Sequence, residues 1–174
     1  TESYLAEQFE SINPAAVAAA HTGLKAALGG ALSQTLEALL EQQASDEEYR
    51  FEPNEVARRR LAAVCLQYLS AADVPGIRAR CLETYQNADN MTDSIAALNA
   101  LRDVDCDERS TAFEHFVQRW QTQPLVLDKW FGLHAASRVP DAFEQVKALM
   151  AHPRFDLKNP NRVRALLGTF ARGN

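Results

Sequence analysis

The sequence has few of the features that mark an enzyme or a membrane protein. No apolar run approaches the roughly 20 residues that span a bilayer, and Thr1–Tyr4 lacks the basic and apolar regions of a signal peptide. The four histidines form no pair one turn apart on a predicted helix, as an H-E-x-x-H zinc site requires. Glycine-rich phosphate loops and the G-x-S-x-G nucleophile motif are also missing. We therefore expect no catalytic residue, metal site or membrane partner in this chain.

Positive charge is also scarce. The chain has 18 lysines and arginines against 23 acidic residues, which gives a net charge of −5. Nucleic-acid binding needs a basic surface, because phosphate contacts dominate its affinity. The basic cluster Arg58–Arg60 follows Glu55, and a solvated helix face that pairs Glu55 with Arg59 explains it. Nucleic acid is therefore not an expected partner.

Cysteine is too sparse for a disulfide framework. Cys65, Cys81 and Cys106 are far apart and odd in number, and Cys65 lies in an apolar run that is typical of a core. Reduced thiols fit a cytoplasmic location, because disulfides persist mainly in oxidising compartments. We therefore expect a cytoplasmic protein.

Helix-forming residues supply most of what is present. Apolar residues make up 47% of the chain and aromatic residues only 8%, with alanine and leucine abundant, which favours helices packed on helices. Apolar residues recur at helical spacing almost throughout, and Asn13-Pro14 and Asn159-Pro160 are typical helix starts. We predict a short helix near Ser3–Glu10, then a long helix from Pro14 towards Ala44 that bends at Gly29-Gly30. The sequence predicts an all-α fold, an irregular solenoid of antiparallel helix pairs forming a single domain over residues 1–174.

The last predicted helix carries two candidate functional residues. Val163, Leu166, Leu167 and Phe170 form its apolar stripe, and Arg162 and Arg164 lie on opposite shoulders of that stripe. Both can be ordinary surface arginines. Alternatively they line a cavity formed with another domain, where a guanidinium can hold a carboxylate. An inner helix with Trp130 and Phe131 is interpreted as core rather than as a ligand pocket.

Several separated segments resemble one known family. The run Asn159–Arg164 followed by Leu166–Phe170 resembles the C-terminal domain of the bacterial aminopeptidase N family. Asp128–Phe131, Asn90–Asp93 and Tyr49-Arg50 resemble other segments of that domain in the same order. The resemblance covers essentially the whole chain.

The resemblance implies a non-catalytic role. Members of the family are zinc aminopeptidases whose H-E-x-x-H motif, glutamate ligand and tyrosine lie in a preceding catalytic domain, so zinc is expected in the parent enzyme and no cofactor in this chain. The family's C-terminal domain is a right-handed helical superhelix, loosely like HEAT or armadillo repeats, that covers the active site and restricts access to peptides. The chain would then be a truncated C-terminal domain, with the missing catalytic domain and peptide substrates as partners.

The same resemblance gives the two arginines a role. Arg164 and Arg162 match chamber-side arginines of the family and would hold the C-terminal half of a peptide. The alternative is a stand-alone helical scaffold that binds a protein in its concave face. An H-E-x-x-H domain upstream in the same reading frame would distinguish the two.

Overall fold

The structure is a computed structural model that describes Tyr4, residues 7–45 and residues 49–173. Its regular elements are all helical over that part of the chain, as predicted. Of the short helix predicted over Ser3–Glu10, residues 3, 5 and 6 fall outside the described residues, and residues 7–10 lie in a turn and a bend rather than in a helix. Residues 46–48 also fall outside the described residues. The chain divides into two compact units, Thr1–Arg78 and Ala79–Asn174, called here the N-terminal and the C-terminal unit.

Three helices build the N-terminal unit: α1 (Pro14–Ala31), α2 (Ser33–Gln42) and α3 (Pro53–Ala71). The Asn13 side chain caps α1, because its Oδ1 accepts a hydrogen bond from the Ala16 N–H at 3.1 Å. Helices α1 and α2 both pack against α3. The single long helix expected from Pro14 instead ends at Ala31, and Leu32 leaves helical geometry with φ −108° and ψ 13°. The break therefore lies just after Gly29-Gly30 and not at them.

The basic cluster on α3 is only partly a solvated face. Glu55 pairs with both Arg58 and Arg59, at 3.0 and 3.4 Å. Arg59, however, is buried, donates a hydrogen bond to the Arg50 carbonyl at 2.8 Å and stacks on the Tyr49 ring. The predicted pairing of Glu55 with Arg59 is therefore present, but the prediction of a solvated face was wrong for Arg59, whose guanidinium also binds the segment before α3.

The C-terminal unit holds most of α4 and the remaining helices. In chain order these are α4 (Ile77–Asn87), α5 (Met91–Leu101), α6 (Asp107–Trp120), α7 (Pro124–Ala135), α8 (Ala142–Met150), α9 (Pro160–Val163), a π-helical turn (Arg164–Gly168) and α10 (Thr169–Gly173). Helix α7 lies between α6, α8 and the π-helical turn. Its Leu127, Trp130, Phe131 and Leu133 are buried, which confirms the predicted inner helix.

The end of the chain differs from the regular helix that the sequence predicted. Asn159 caps α9 as expected, accepting hydrogen bonds from the N–H groups of Asn161 and Arg162 at 3.0 and 3.3 Å. A π-helical turn then interrupts the helix, and its wider turn rotates the following side chains relative to an α-helix. Leu166 is fully buried, but Val163, Leu167 and Phe170 are only half-buried. None of the described helices is long and apolar enough to cross a membrane.

Candidate functional site

Arg162 is an internal contact of the C-terminal unit. It is only 4% exposed, and its Nε donates to Asp128 Oδ1 at 2.6 Å. Its two other nitrogens donate to the carbonyls of Arg154 at 2.9 Å and Pro124 at 3.3 Å, and the guanidinium lies over the Phe131 ring. The predicted shoulder position was therefore wrong, because the first turn of α9 faces α7. All three guanidinium nitrogens of Arg162 therefore donate to acceptors within the protein.

Arg164 lies two residues later in a different environment. It is exposed and begins the π-helical turn, and its carbonyl accepts a hydrogen bond from Thr169 Oγ1 at 3.2 Å. No carboxylate among the described residues forms an ion pair with its guanidinium. Single π-helical turns often occur at functional positions. Of the two candidate arginines, Arg164 is the one that a bound molecule can reach.

Among the described residues, no group of three or more histidine, cysteine or acidic side chains is arranged to hold a metal ion. The histidines take other partners. His115 Nδ1 shares a hydrogen bond with the Tyr85 hydroxyl at 2.8 Å, and His152 Nδ1 accepts from the Arg154 N–H at 3.1 Å. The described part of the chain therefore offers no ligand set for the zinc that the resemblance implies.

A cleft that the sequence did not predict lies among α6, α7, α8 and His152. Its volume is about 450 Å³, within the usual range for ligand pockets. Aromatic walls come from Phe113 and Trp130, and polar groups from Arg109, His134 and Gln145. The sequence feature that could have indicated the cleft is the spacing of Trp130 and His134, which lie one turn apart on one face of α7. Trp130 is core, as predicted, and it also borders the cleft.

His134 is the most perturbed titratable group of the cleft. Burial, together with the neighbouring Arg109 charge, lowers its pKa to about 4. A hydrogen bond with Gln145 opposes the shift. Its ring packs edge-on against Phe113 and Trp130, with ring centroids 4.9 and 4.7 Å away. The imidazole is therefore neutral in the folded protein near neutral pH.

This shift predicts a loss of stability in mild acid. The folded pKa is lowered, so below the ordinary value of 6.5 the unfolded chain binds the proton more tightly. We expect the free energy of unfolding to fall as pH drops from 6.5 to 4, by roughly 3 kcal/mol at about 1.4 kcal/mol per pKa unit. Urea unfolding at several pH values measures it.

The His134→Phe variant keeps an aromatic ring and removes the titrating group. Most of the fall in the free energy of unfolding between pH 6.5 and 4 should therefore disappear. His152 should still cause a smaller loss of stability on acidification, because burial and Arg162 lower its pKa. The pKa of Asp103 is lowered by Arg102, so its contribution to stability is lost mainly as the pH falls below its ordinary value of 3.8. If His134→Phe lost as much stability as the wild type between pH 6.5 and 4, the assignment of this pH dependence to His134 would be contradicted.

The whole chain, residues 1–174, matches the family described as a domain of unknown function (DUF3458_C) with ARM repeats. It belongs to this family. The ARM-repeat description agrees with the predicted helical solenoid, and the relatives confirm the aminopeptidase N resemblance. The chain is similar to aminopeptidase N of Caulobacter vibrioides, with 38% identity over 100% of the chain and 20% of the relative. It is also similar to aminopeptidase N of Escherichia coli, with 34% identity over 98% of the chain and 19% of the relative.

A solved structure shares the fold of this DUF3458_C member. Legionella pneumophila aminopeptidase A, crystallised in complex with aspartic acid, matches with a TM-score of 0.83 and 30% identity over 98% of the chain. The match covers 21% of that protein. The chain thus spans about a fifth of the length of the relatives it matches, and the match lies in their C-terminal region.

Proposed function

We propose that this chain is the non-catalytic C-terminal domain of a cytoplasmic, zinc-dependent aminopeptidase N. The observation that carries the proposal is the alignment of the whole chain with about a fifth of each aminopeptidase N relative. In that protein, residues 1–174 act as one domain that covers the active site and limits access to peptides. Its partners are the catalytic domain of the same protein and the peptide substrates. The zinc belongs to the catalytic domain, and no step of the chemistry is assigned to residues of this chain.

Within this function, Arg164 is the residue proposed to hold the peptide. Its exposure, and the lack of an ion-pair partner for its guanidinium among the described residues, support the role, because a peptide ends in a carboxylate that the planar guanidinium can bind through two hydrogen bonds. Arg162 lacks this freedom, since Asp128 and two carbonyls occupy its nitrogens. We therefore assign Arg162 to positioning α9, which Arg164 directly follows at the start of the π-helical turn.

Arg164→Ala in the full-length enzyme tests this role. Loss of one charge-assisted contact weakens binding by about tenfold to a hundredfold, so we expect KM for short peptides to rise by that factor. A single-residue chromogenic substrate has no distant carboxylate and should be almost unaffected. Arg164→Lys should recover part of the loss, because an ammonium cannot form the fork. Steady-state kinetics on both substrates gives the comparison.

Arg60→Ala is the matched control, since Arg60 is also an exposed arginine but lies on α3. It should leave both substrates unchanged. Unchanged peptide kinetics in Arg164→Ala would refute the role of Arg164. Equal losses on both substrates would instead indicate damaged domain packing. A parent protein without any peptidase activity would refute the function itself and favour the helical scaffold.

A further inference from the structure

A second exposed arginine, Arg172 of α10, lies close to Arg164. Both side chains are exposed, and within the described part of the chain no acceptor binds either guanidinium. This distinguishes the two residues from Arg162, whose three guanidinium nitrogens all have acceptors. Arg164 and Arg172 are therefore both open to a ligand.

The π-helical turn brings Arg172 to the side of the helix that carries Arg164. In an uninterrupted α-helix, two residues eight apart point about 80° away from each other. Here the Thr169 N–H bonds to the Arg164 carbonyl five residues back, so the turn accommodates one extra residue. Arg172 therefore takes the direction of the seventh residue in an α-helix, which is about 20° from that of Arg164.

Gly168 lies between the two arginines and leaves the surface between them open. A Cβ at Gly168 would lie 3.6 Å from Arg172 Nη2 and 3.8 Å from Arg164 Cβ. The Arg172 guanidinium therefore lies over the glycine, on the side from which the Arg164 side chain extends. Because glycine has no side chain, a small ligand can approach the helix between the two guanidiniums.

The opposite side of this segment packs against the rest of the C-terminal unit. Leu166 is fully buried, and the Phe170 ring contacts the Phe143 ring of α8 with the centroids 6.0 Å apart. Arg172 follows Phe170 by two residues, so its direction differs from that of Phe170 by about 160°. The two arginines therefore face away from α8, where a ligand can reach them.

Two neighbouring guanidiniums that lack acceptors in the described structure favour a bound anion. Their like charges repel each other, whereas an anion between them is attracted to both. A carboxylate suits this position because its two oxygens offer about four lone-pair sites, enough to accept hydrogen bonds from both planar groups. A peptide carries such a group at its C-terminus.

We propose that Arg164, Gly168 and Arg172 form a carboxylate clamp, in which both guanidiniums hold the C-terminal carboxylate of a peptide over Gly168. The identity of the ligand rests on the proposed function, and the clamp adds Arg172 to the peptide site. It also gives the π-helical turn a role, since the two arginines would point apart without the extra residue.

Binding to the 174-residue chain tests the clamp without any peptidase activity. Acetyl-trialanine and its C-terminal amide differ only in the group that the clamp is proposed to hold. In NMR titrations at constant ionic strength, both are followed through the backbone amides around Gly168. The Kd of the free acid should be at least about tenfold lower than that of the amide, the effect of one charge-assisted contact. Equal Kd values, or no shift around Gly168, would overturn the clamp.

Substitutions of the two arginines test whether they hold the same group. Arg164→Ala and Arg172→Ala should each remove most of the preference for the acid, because either change breaks the same bridge, and the double variant should add little further. Arg172→Lys should recover part of the preference, since an ammonium lacks the planar pair of donors. Arg119→Ala, at an exposed arginine of α6 in the same unit, is the matched control and should keep it. An equal loss in Arg119→Ala would show general attraction of anions to positive charge and contradict the clamp.

Kinetics of the full-length enzyme separate the clamp from the proposed function. In the wild type, KM for trialanine amide should exceed KM for trialanine, and the ratio of the two should fall towards one in Arg172→Ala. An unchanged ratio in an active Arg172→Ala enzyme would refute the role of Arg172 and leave the proposed function intact. A parent protein without peptidase activity would refute the proposed function, and the binding of the acid and the amide would still decide whether the clamp exists.

Discussion

Replacement of Arg162 by methionine is expected to lower the free energy of unfolding by about 3–5 kcal/mol, the usual effect of removing one partner of a buried ion pair. The Asp128 carboxylate is only 15% exposed and would lose its 2.6 Å partner. The carbonyls of Arg154 and Pro124 would lose their donor as well. Urea unfolding followed by tryptophan emission measures the change, because both tryptophans, Trp120 and Trp130, lie in the same unit.

Three further variants identify the cause of that loss. Arg162→Lys should recover only part of the stability, since one ammonium cannot reach three acceptors in the fork geometry. The double variant Arg162→Met/Asp128→Leu removes both charges and should recover most of it. Arg164→Met, two residues away but exposed, should stay within about 0.5 kcal/mol of the wild type. Equal destabilisation by Arg162→Met and Arg164→Met would show that the buried contacts of Arg162 do not stabilise the fold.

Alanine at Gly29 is expected to disrupt the packing of α1 on α3. A Cβ at this position would overlap the Tyr68 carbonyl oxygen and lie 3.0 Å from Ala72 Cβ. The carbonyl belongs to the α3 backbone and cannot rotate away as a side chain could, so the helices must separate. We expect a loss at the upper end of the roughly 1–3 kcal/mol that overpacking costs. Hydrogen exchange of the α3 amides reports it, because it follows the N-terminal unit alone.

The adjacent glycine provides the control. A Cβ at Gly30 meets no atom within 4 Å, so Gly30→Ala gains helix propensity without a clash. It should stabilise the unit by about 0.5–1 kcal/mol. Opposite signs for two neighbouring glycine substitutions would be hard to obtain unless α1 and α3 are in backbone contact at Gly29. Equal effects of the two substitutions would contradict that contact.

The sequence by itself determined the helical class, the helix starts and the family. Asn13 and Asn159 cap helices where predicted, since a cap depends on the asparagine and the few residues after it. The resemblance of separated segments led to the same family that the full-length match shows. The inner helix α7 was also predictable, because its apolar residues cover more than one face.

Only the tertiary structure decided the positions that depend on neighbouring helices. Arg162 is buried because Asp128 and two carbonyls converge on it from other segments, which helical periodicity cannot indicate. The π-helical turn displaces the apolar stripe after Arg164, and no local pattern in the sequence predicted this turn. His134 Nδ1 meets the oxygen of Gln145, whose amide is oriented by Asp141, and no described residue bonds to His134 Nε2. Long-range contacts fix these features, whereas short-range backbone and capping preferences suffice for the helices themselves.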